Sequence, residues 1–325
     1  MSDDSRWLAA AASVAARGLP LSRPNPAVGA VIVKAGRVVG RGWTQPGGRP
    51  HAEAMALAMA GPAAKDATLY VTLEPCAHDS QRGPACAELI VSSGLARVVV
   101  GTLDPDPRTA GAGMARMGAA GVICALETIP QVDLSLAGYL SQHRNSRPHV
   151  TLKLATSLDG CIALASGESQ WITGEAARAH SHAMRARTEA ILVGGGTLRA
   201  DAPRLDVRLP GLEDRSPERW VLTRGPAPDG WRALPSPEAI SDMTEVQYLF
   251  VEGGAQTAAA FLAAWLVDRL LLYRAPIVIG DGRPAIGDIG LGSLAEAHGQ
   301  WRMSDRRQLG SDTLEVYERA PCSPE

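Results

Sequence analysis

A chain of 325 residues is too long for one ordinary core and fits two domains, each able to bury its own apolar interior. Its 46% hydrophobic and 20% charged residues are those of a soluble globular protein. A formal net charge of -2 supplies none of the basic excess that polynucleotide binding requires, which argues against nucleic acid as a partner.

The apolar stretch Trp7–Ala16 follows Asp3 and Asp4 and is far shorter than the roughly 20 residues of a membrane span, so it reads as an opening helix stopped near Gly18 rather than as a signal-peptide core. No later segment looks transmembrane. From Ala27 to Gly42 two short strands flank a Lys34-Ala35-Gly36 turn, and His51–Ala60 follows as a helix. Thr68–Pro75 is another strand, Cys86–Ser93 a helix, and Ala96–Pro105 a further strand running into a loop. This alternation signals an α/β layer structure. The segment Gln142–Pro148 is polar, charged and ends in proline, the composition of an inter-domain connection, which sets the domains at 1–145 and 146–325. Strands are then expected within His149–Gly160, Ala190–Gly196, Arg219–Thr223, Tyr248–Gly254 and Arg269–Gly280, so the second domain is also α/β. The Pro-rich stretch Gly225–Glu245 yields no element, and no internal repeat is present.

Five cysteines form an odd set with no framework spacing, which points to a cytoplasmic chain that uses some of them for metal. Cys124, Cys161 and Cys322 carry no partner motif and read as small residues in or near a core. A zinc ion that activates water needs three protein ligands and one open position, and His51, Cys76 and Cys86 can supply them. Deamination also needs a carboxylate that shuttles protons without binding the metal. The order His51-Ala52-Glu53, Pro75-Cys76, Cys86 provides one in Glu53. Residues two apart inside a helix point about 200° apart, so His51 and Glu53 converge only across a helix mouth, and Pro50 suits such a start. The bland alternative is a surface His and Glu on an Ala-rich helix with two buried thiols; all four elements in order favour the metal site. One departure stands out, since nine residues separate the two cysteines where two are usual.

In the second half, Ala190–Asp201 and Tyr248–Leu262 each run from an apolar strand through glycines into a helix, the arrangement that presents backbone N–H groups to a phosphate. Neither matches G-x-G-x-x-G, because Arg199 occupies the last glycine position of the first, so a Rossmann assignment is unsupported. Taken alone, these glycines serve turn geometry as readily as phosphate binding.

The segments RPNPAVGAVIV, HAEAMAL and TLEPCAHDSQRGPACAELI together resemble the amino-terminal domain of the bifunctional riboflavin-biosynthesis deaminase/reductase family, with a one-residue insertion in the loop before Cys86. LKLATSLDG, GESQWIT, MRARTEAILVGGGTLRADAPRLDVRLPG and FVEGGAQTAAAFL resemble the same family's reductase domain, so the likeness spans about residues 5 to 290. It implies a cytidine-deaminase-like α/β/α domain with zinc, followed by a dihydrofolate-reductase-like domain that uses NADPH. It places Asn25 and His78 beside the pyrimidine and gives Arg82 a phosphate contact. In the second domain it implies Ala155, Trp171, Thr197, Asp201 and the segment Gly254, Ala255, Gln256, Thr257, Ala258, Ala259, Ala260 on the cofactor. Ser169, Arg185, Leu205, Arg208 and Glu252 fall on the substrate. The implied reactions are deamination of 2,5-diamino-6-(5-phosphoribosylamino)pyrimidin-4-one and NADPH reduction of the ribosyl group to ribityl. The expected partner is that small molecule, with no nucleic acid or membrane, in a homo-oligomer. Departures from the family pattern are Asp106 for Asn, Ala202 for Asp, Asp206 for Thr and Thr223-Arg224 for Asp-Ser. Two rivals are a deaminase of free nucleosides or tRNA, and a carboxyl half that is a silent dimerisation or sensing module; the intact GESQWIT and RADAPRL segments weigh against the second.

Overall fold

The computed structural model describes residues 2–78 and 82–320; residues 79–81, in the loop that carries the insertion, and Cys322 lie outside the described residues. The chain divides into two compact units after Ser146.

The first unit runs α1 (Asp3–Ala15), β1 (Gly29–Lys34), β2 (Arg37–Trp43), α2 (Ala52–Ala60), β3 (Thr68–Leu73), α3 (Cys86–Ser92), β4 (Arg97–Thr102), α4 (Ala112–Ala119), β5 (Ile123–Leu126), α5 (Pro130–Ser135) and α6 (Ala137–Asn145). Its five-stranded sheet has the order β2-β1-β3-β4-β5, antiparallel through β2-β1-β3 and parallel from β3 to β5. Ala35 and Gly36 both take positive φ (48° and 74°), which gives the two-residue hairpin turn whose twist matches its strands. The runs in β3 and β4 are apolar and buried almost throughout, as a parallel sheet covered on both faces requires.

Glycines set how closely the helices approach. A Cβ on Gly29 would lie 2.0 Å from the Ala11 carbonyl oxygen of α1, and Cβ atoms on Gly40 and Gly42 would lie 2.2 Å from the Ala56 and Ala52 oxygens of α2. Gly42 pairs with Ala30, the neighbour of Gly29, so alternation along the strand puts α1 and α2 on opposite faces of the sheet. This is the expected α/β/α sandwich. Ala11, Ala30, Ile32, Ala52, Ala56, Leu69 and Val98 are fully buried in its core, where each large aliphatic side chain contributes about 1.5–3 kcal/mol.

The second unit runs β6 (His149–Thr156), β7 (Cys161–Leu164), α7 (Glu175–Arg185), β8 (Ala190–Gly194), α8 (Gly195–Asp201), β9 (Glu218–Leu222), β10 (Arg232–Leu234), β11 (Tyr248–Val251), α9 (Ala255–Ala263), β12 (Arg269–Arg274), β13 (Gly282–Pro284), β14 (Trp301–Leu309) and β15 (Asp312–Arg319). The eight-stranded sheet has the order β10-β9-β8-β11-β6-β12-β15-β14. It is parallel from β10 to β12, with β15 and β14 added antiparallel. The second unit is α/β, as expected. The Pro-rich stretch that yielded no element holds β10 and a 3-10 helix at Pro237–Asp242. The strand expected over 269–280 stops at Arg274. Among the described residues no helix is long and apolar enough to cross a membrane.

Candidate active sites

The first site lies where β3, α2 and α3 present their ends to one cleft. His51 is the N-cap residue of α2 in extended conformation, and Glu53 is the second residue inside that helix, so both point across the helix mouth. Cys76 follows the end of β3, and Cys86 opens α3. The ligand atoms of His51, Cys76 and Cys86 all lie within 4.8 Å of one another. His51 Nδ1 sits 3.3 Å from Cys86 Sγ and 3.6 Å from Cys76 Sγ, while the Cys86 backbone N–H donates to Cys76 Sγ at 3.3 Å. The other ring nitrogen, Nε2, lies 3.0 Å from the side-chain amide of Asn25, whose Nδ2 donates to the Gly48 carbonyl at 2.9 Å.

Glycine and carboxylate contacts hold this constellation. A Cβ on Gly113 would lie 2.0 Å from the Pro75 carbonyl oxygen, so α4 seats directly against the backbone preceding Cys76. Buried Glu74 accepts the N–H groups of Gly111 (2.9 Å), Met114 (3.1 Å) and Asp104 (3.3 Å), fixing the loop after β4 and the start of α4. The cleft encloses about 410 Å³ and is lined by Asn25, His51, Glu53, Cys76, His78 and Arg82, together with Arg49, Asp104, Asp106, Arg108, Tyr139 and His143. Arg82 Nη2 donates to the Gly47 carbonyl, and Thr109 Oγ1 is 3.4 Å from His78 Nδ1.

Electrostatics in the cleft follow from burial and contact. Glu53 is 3% exposed, and burial pushes its carboxyl above the ordinary range against the pull of His51. Burial alone would lower His51, but the Cys76 hydrogen bond and the Glu53 charge raise it. The Cys86 hydrogen bond holds Cys76 far below the usual thiol range, outweighing burial, while its partner Cys86 is pushed up. A nitrogen and two sulfurs converging on one point, with room for one more donor, is a set that zinc prefers.

The second site is a cleft of about 460 Å³ at the carboxyl ends of β6, β8, β11 and β12, where parallel sheets place their ligands. It gathers Ala155, Ser169, Trp171, Arg185, Thr197, Asp201, Leu205, Arg208, Glu252 and Gly254 from segments far apart in sequence. Arg185 is an α7 residue only 12% exposed. Its Nε and Nη2 grip Glu252 at 2.6 and 2.9 Å, and Nη1 donates to the Asp206 carbonyl at 3.0 Å. Burial would raise the Glu252 carboxyl, but Lys153 and Arg185 hold it down at about 2. A solvated Arg-rich face is therefore not what this helix presents, and Arg187 lies beyond its end. Trp171 is 64% exposed, with the Arg178 guanidinium 5.0 Å from its ring centre. Both glycine turns abut one side chain, since Cβ atoms on Gly194 and Gly253 would lie 2.2 and 2.4 Å from Thr257 atoms. Gly254 caps α9 and, of Gly254–Ala260, is the one residue that lines the cleft; Thr257, Ala258 and Ala259 are buried.

Sequence reasoning missed several residues lining these clefts: Lys153, Ser181, His182 and Tyr273 in the second, Arg49, Asp104, Arg108, Tyr139 and His143 in the first. Only tertiary proximity reveals them, although the lysine in LKLATSLDG, half-buried within a mostly buried strand, is a signal that could have been read.

Residues 1–102 match the family of the cytidine and deoxycytidylate deaminase zinc-binding region. Residues 148–232 and 237–314 match the RibD C-terminal domain. With the two clefts, these matches define a two-domain enzyme, a zinc-binding deaminase followed by a reductase. The riboflavin biosynthesis protein RibD of Aquifex aeolicus is 35% identical, over 97% of this chain and 98% of its own. The solved structure of Acinetobacter baumannii RibD superposes with a TM-score of 0.85 at 33% identity, covering 98% of this chain and 99% of its own. A diaminohydroxyphosphoribosylaminopyrimidine deaminase/5-amino-6-(5-phosphoribosylamino)uracil reductase from Thermotoga maritima gives 0.85 at 29%, with the same coverage. The chain belongs to the RibD family of riboflavin biosynthesis proteins. It is a bifunctional deaminase and reductase acting on a small-molecule pyrimidine, with zinc and NADPH as its cofactors. Neither rival reading is favoured.

Proposed function

We propose that His51, Cys76 and Cys86 hold the zinc ion and that Glu53 carries the protons in deamination of 2,5-diamino-6-(5-phosphoribosylamino)pyrimidin-4-one. The observation that supports this most is the convergence of His51 Nδ1 and two thiol sulfurs beside a buried carboxylate. Bound there, zinc supplies the Lewis acidity that makes water nucleophilic near neutral pH. Glu53 takes one proton from the water and passes it to the ring nitrogen as the C–O bond forms, then carries the proton of the newly added hydroxyl to the amine, which leaves as ammonia when the C–N bond breaks. Its raised affinity for protons, a consequence of burial, suits a group that must both take and give them. Asn25 and His78 orient the pyrimidine, and Arg82 binds the phosphate.

In the second cleft, Ala155, Trp171, Thr197, Asp201 and the backbone of Gly254–Ala260 hold NADPH, which supplies the hydride. Ser169, Arg185, Leu205, Arg208 and Glu252 hold the phosphoribosyl arm, whose ribosyl carbon is reduced to ribityl. The Glu252 grip fixes the Arg185 fork before substrate arrives, which lowers the ordering cost of binding. Use of Cys76 and Cys86 as metal ligands supports a cytoplasmic location.

Glu53→Gln tests the division of labour. Ammonia release is expected to fall by about 10²–10⁴-fold, with zinc content and NADPH oxidation on deaminated substrate unchanged. Loss of both activities in a folded, zinc-loaded variant would overturn it.

A further inference from the structure

One cation of the deaminase cleft has no role in the reaction described above. Arg108 lies in the loop after β4 and lines the cleft with Asp104 and Asp106. Its Nε donates to both Asp106 oxygens, at 3.0 and 2.9 Å, its Nη2 donates to Oδ2, and its backbone N–H donates to Oδ1 at 2.9 Å. The carboxylate thus grips one edge of the fork. Nη1 has no partner among the described residues, and the guanidinium side chain is 69% exposed. Asp106 is itself anchored, for its N–H donates to Asp104 Oδ1 at 3.0 Å, and that oxygen accepts the Tyr139 hydroxyl at 2.7 Å. Next in the loop, Thr109 reaches His78, so Arg108 stands on the segment that borders the pyrimidine end of the cleft.

A guanidinium fixed on one edge and open on the other is preorganised for an oxyanion, because little side-chain entropy remains to be lost. It also offers the parallel N–H pair that a phosphate accepts. An amide at position 106 would lack the charge that grips Arg108, so the departure at Asp106 and the cation two residues on form one device. We propose that Arg108, held by Asp106, is a specificity-determining contact to the phosphate of the deaminase substrate, acting with Arg82. The inference rests on the deaminase reading given above. Asp106 neutralises much of the long-range field of Arg108, so the contact acts through short hydrogen bonds rather than by steering. The Arg108 partnership holds the Asp106 carboxyl at about 2, which keeps the pair ionised throughout the working pH range.

The test measures ammonia release by the zinc-loaded full chain from the phosphorylated pyrimidine and from its dephosphorylated counterpart. For Arg108→Ala, KM for the phosphorylated substrate is expected to rise about 10-fold or more, the loss of a charged hydrogen bond, with kcat nearly unchanged. KM for the dephosphorylated substrate is expected to stay at the wild-type value, and Arg108→Lys to recover part of the loss. Asp106→Asn should raise KM for the phosphorylated substrate alone, by less than Arg108→Ala. An unchanged KM in Arg108→Ala, or an equal rise for both substrates, would overturn the inference while leaving the deaminase reading intact. Absence of ammonia release by wild type from either substrate would overturn both.

Discussion

Replacing Glu252 by Gln removes one charge at nearly constant volume from the floor of the second cleft. The carboxylate is 10% exposed, its Arg185 partner 12%, and Lys153 lies 3.6 Å away. Those cations, against burial, lower its pKa from 4.5 to about 2, which by linkage corresponds to about 3 kcal/mol of stability at neutral pH. A separate estimate agrees, because stripping one partner from a buried ion pair costs about 3–5 kcal/mol through the uncompensated charge left behind. Urea unfolding followed by tryptophan fluorescence reports mainly on this unit, which holds Trp171, Trp220, Trp231, Trp265 and Trp301 of the seven tryptophans. At pH 7 the variant is expected to lose about 3 kcal/mol of unfolding free energy. The sign with pH is fixed: a carboxyl whose folded pKa is depressed stabilises fully above 4.5 and loses that contribution as pH falls toward about 2. The gap between wild type and variant should therefore narrow below pH 4.5. A variant within about 0.5 kcal/mol of wild type at pH 7, or a gap that persists at low pH, would refute the reasoning.

Three further outcomes are expected. Cys86→Ser should lower bound zinc, measured by atomic emission, from about one per chain to near zero and abolish deamination, with NADPH-dependent reduction retained; full zinc content would remove Cys86 from the ligand set. Gly42→Val drives a side chain into the Ala52 carbonyl that seats α2, so a loss of about 1–3 kcal/mol in stability and a selective fall in deaminase activity should follow. Unchanged ammonia release would show that α2 tolerates displacement. Gly253→Ala places a methyl 2.4 Å from Thr257 Cβ, and NADPH titration should show affinity about 10-fold weaker or more; an unchanged Kd would take this turn out of the cofactor site.

Much of this protein was legible because it is written locally. The Lys34-Ala35-Gly36 turn, the apolar runs of β3, β4, β8 and β11 and the helix opening at His51 each depend on a few adjacent residues, and on periodicities of 2 or 3.6 that sequence displays directly. The His51, Glu53, Cys76 and Cys86 pattern could be read for the same reason: each element sits at a strand or helix end that its own neighbours announce. The hairpin of β14 and β15 escaped, since β14 is largely exposed and carries the mixed polar run WRMSDRRQL instead of an apolar stripe. Residues 275–280 looked like strand by composition, yet β12 ends at Arg274, because apolar content alone does not supply a neighbouring strand to pair with. Which charges meet was settled only by the fold. His51 touches Cys86 across 35 positions and Arg185 grips Glu252 across 67, distances closed by sheet order and by glycines that let helices lie against strands. Sequence by itself determined which side chains are available, a histidine, two cysteines and a carboxylate in the order of the deaminase pattern, and the α/β character of each half. Tertiary structure decided which arginines are clamps rather than solvated charge, because burial and pairing are properties of neighbours brought together from distant parts of the chain.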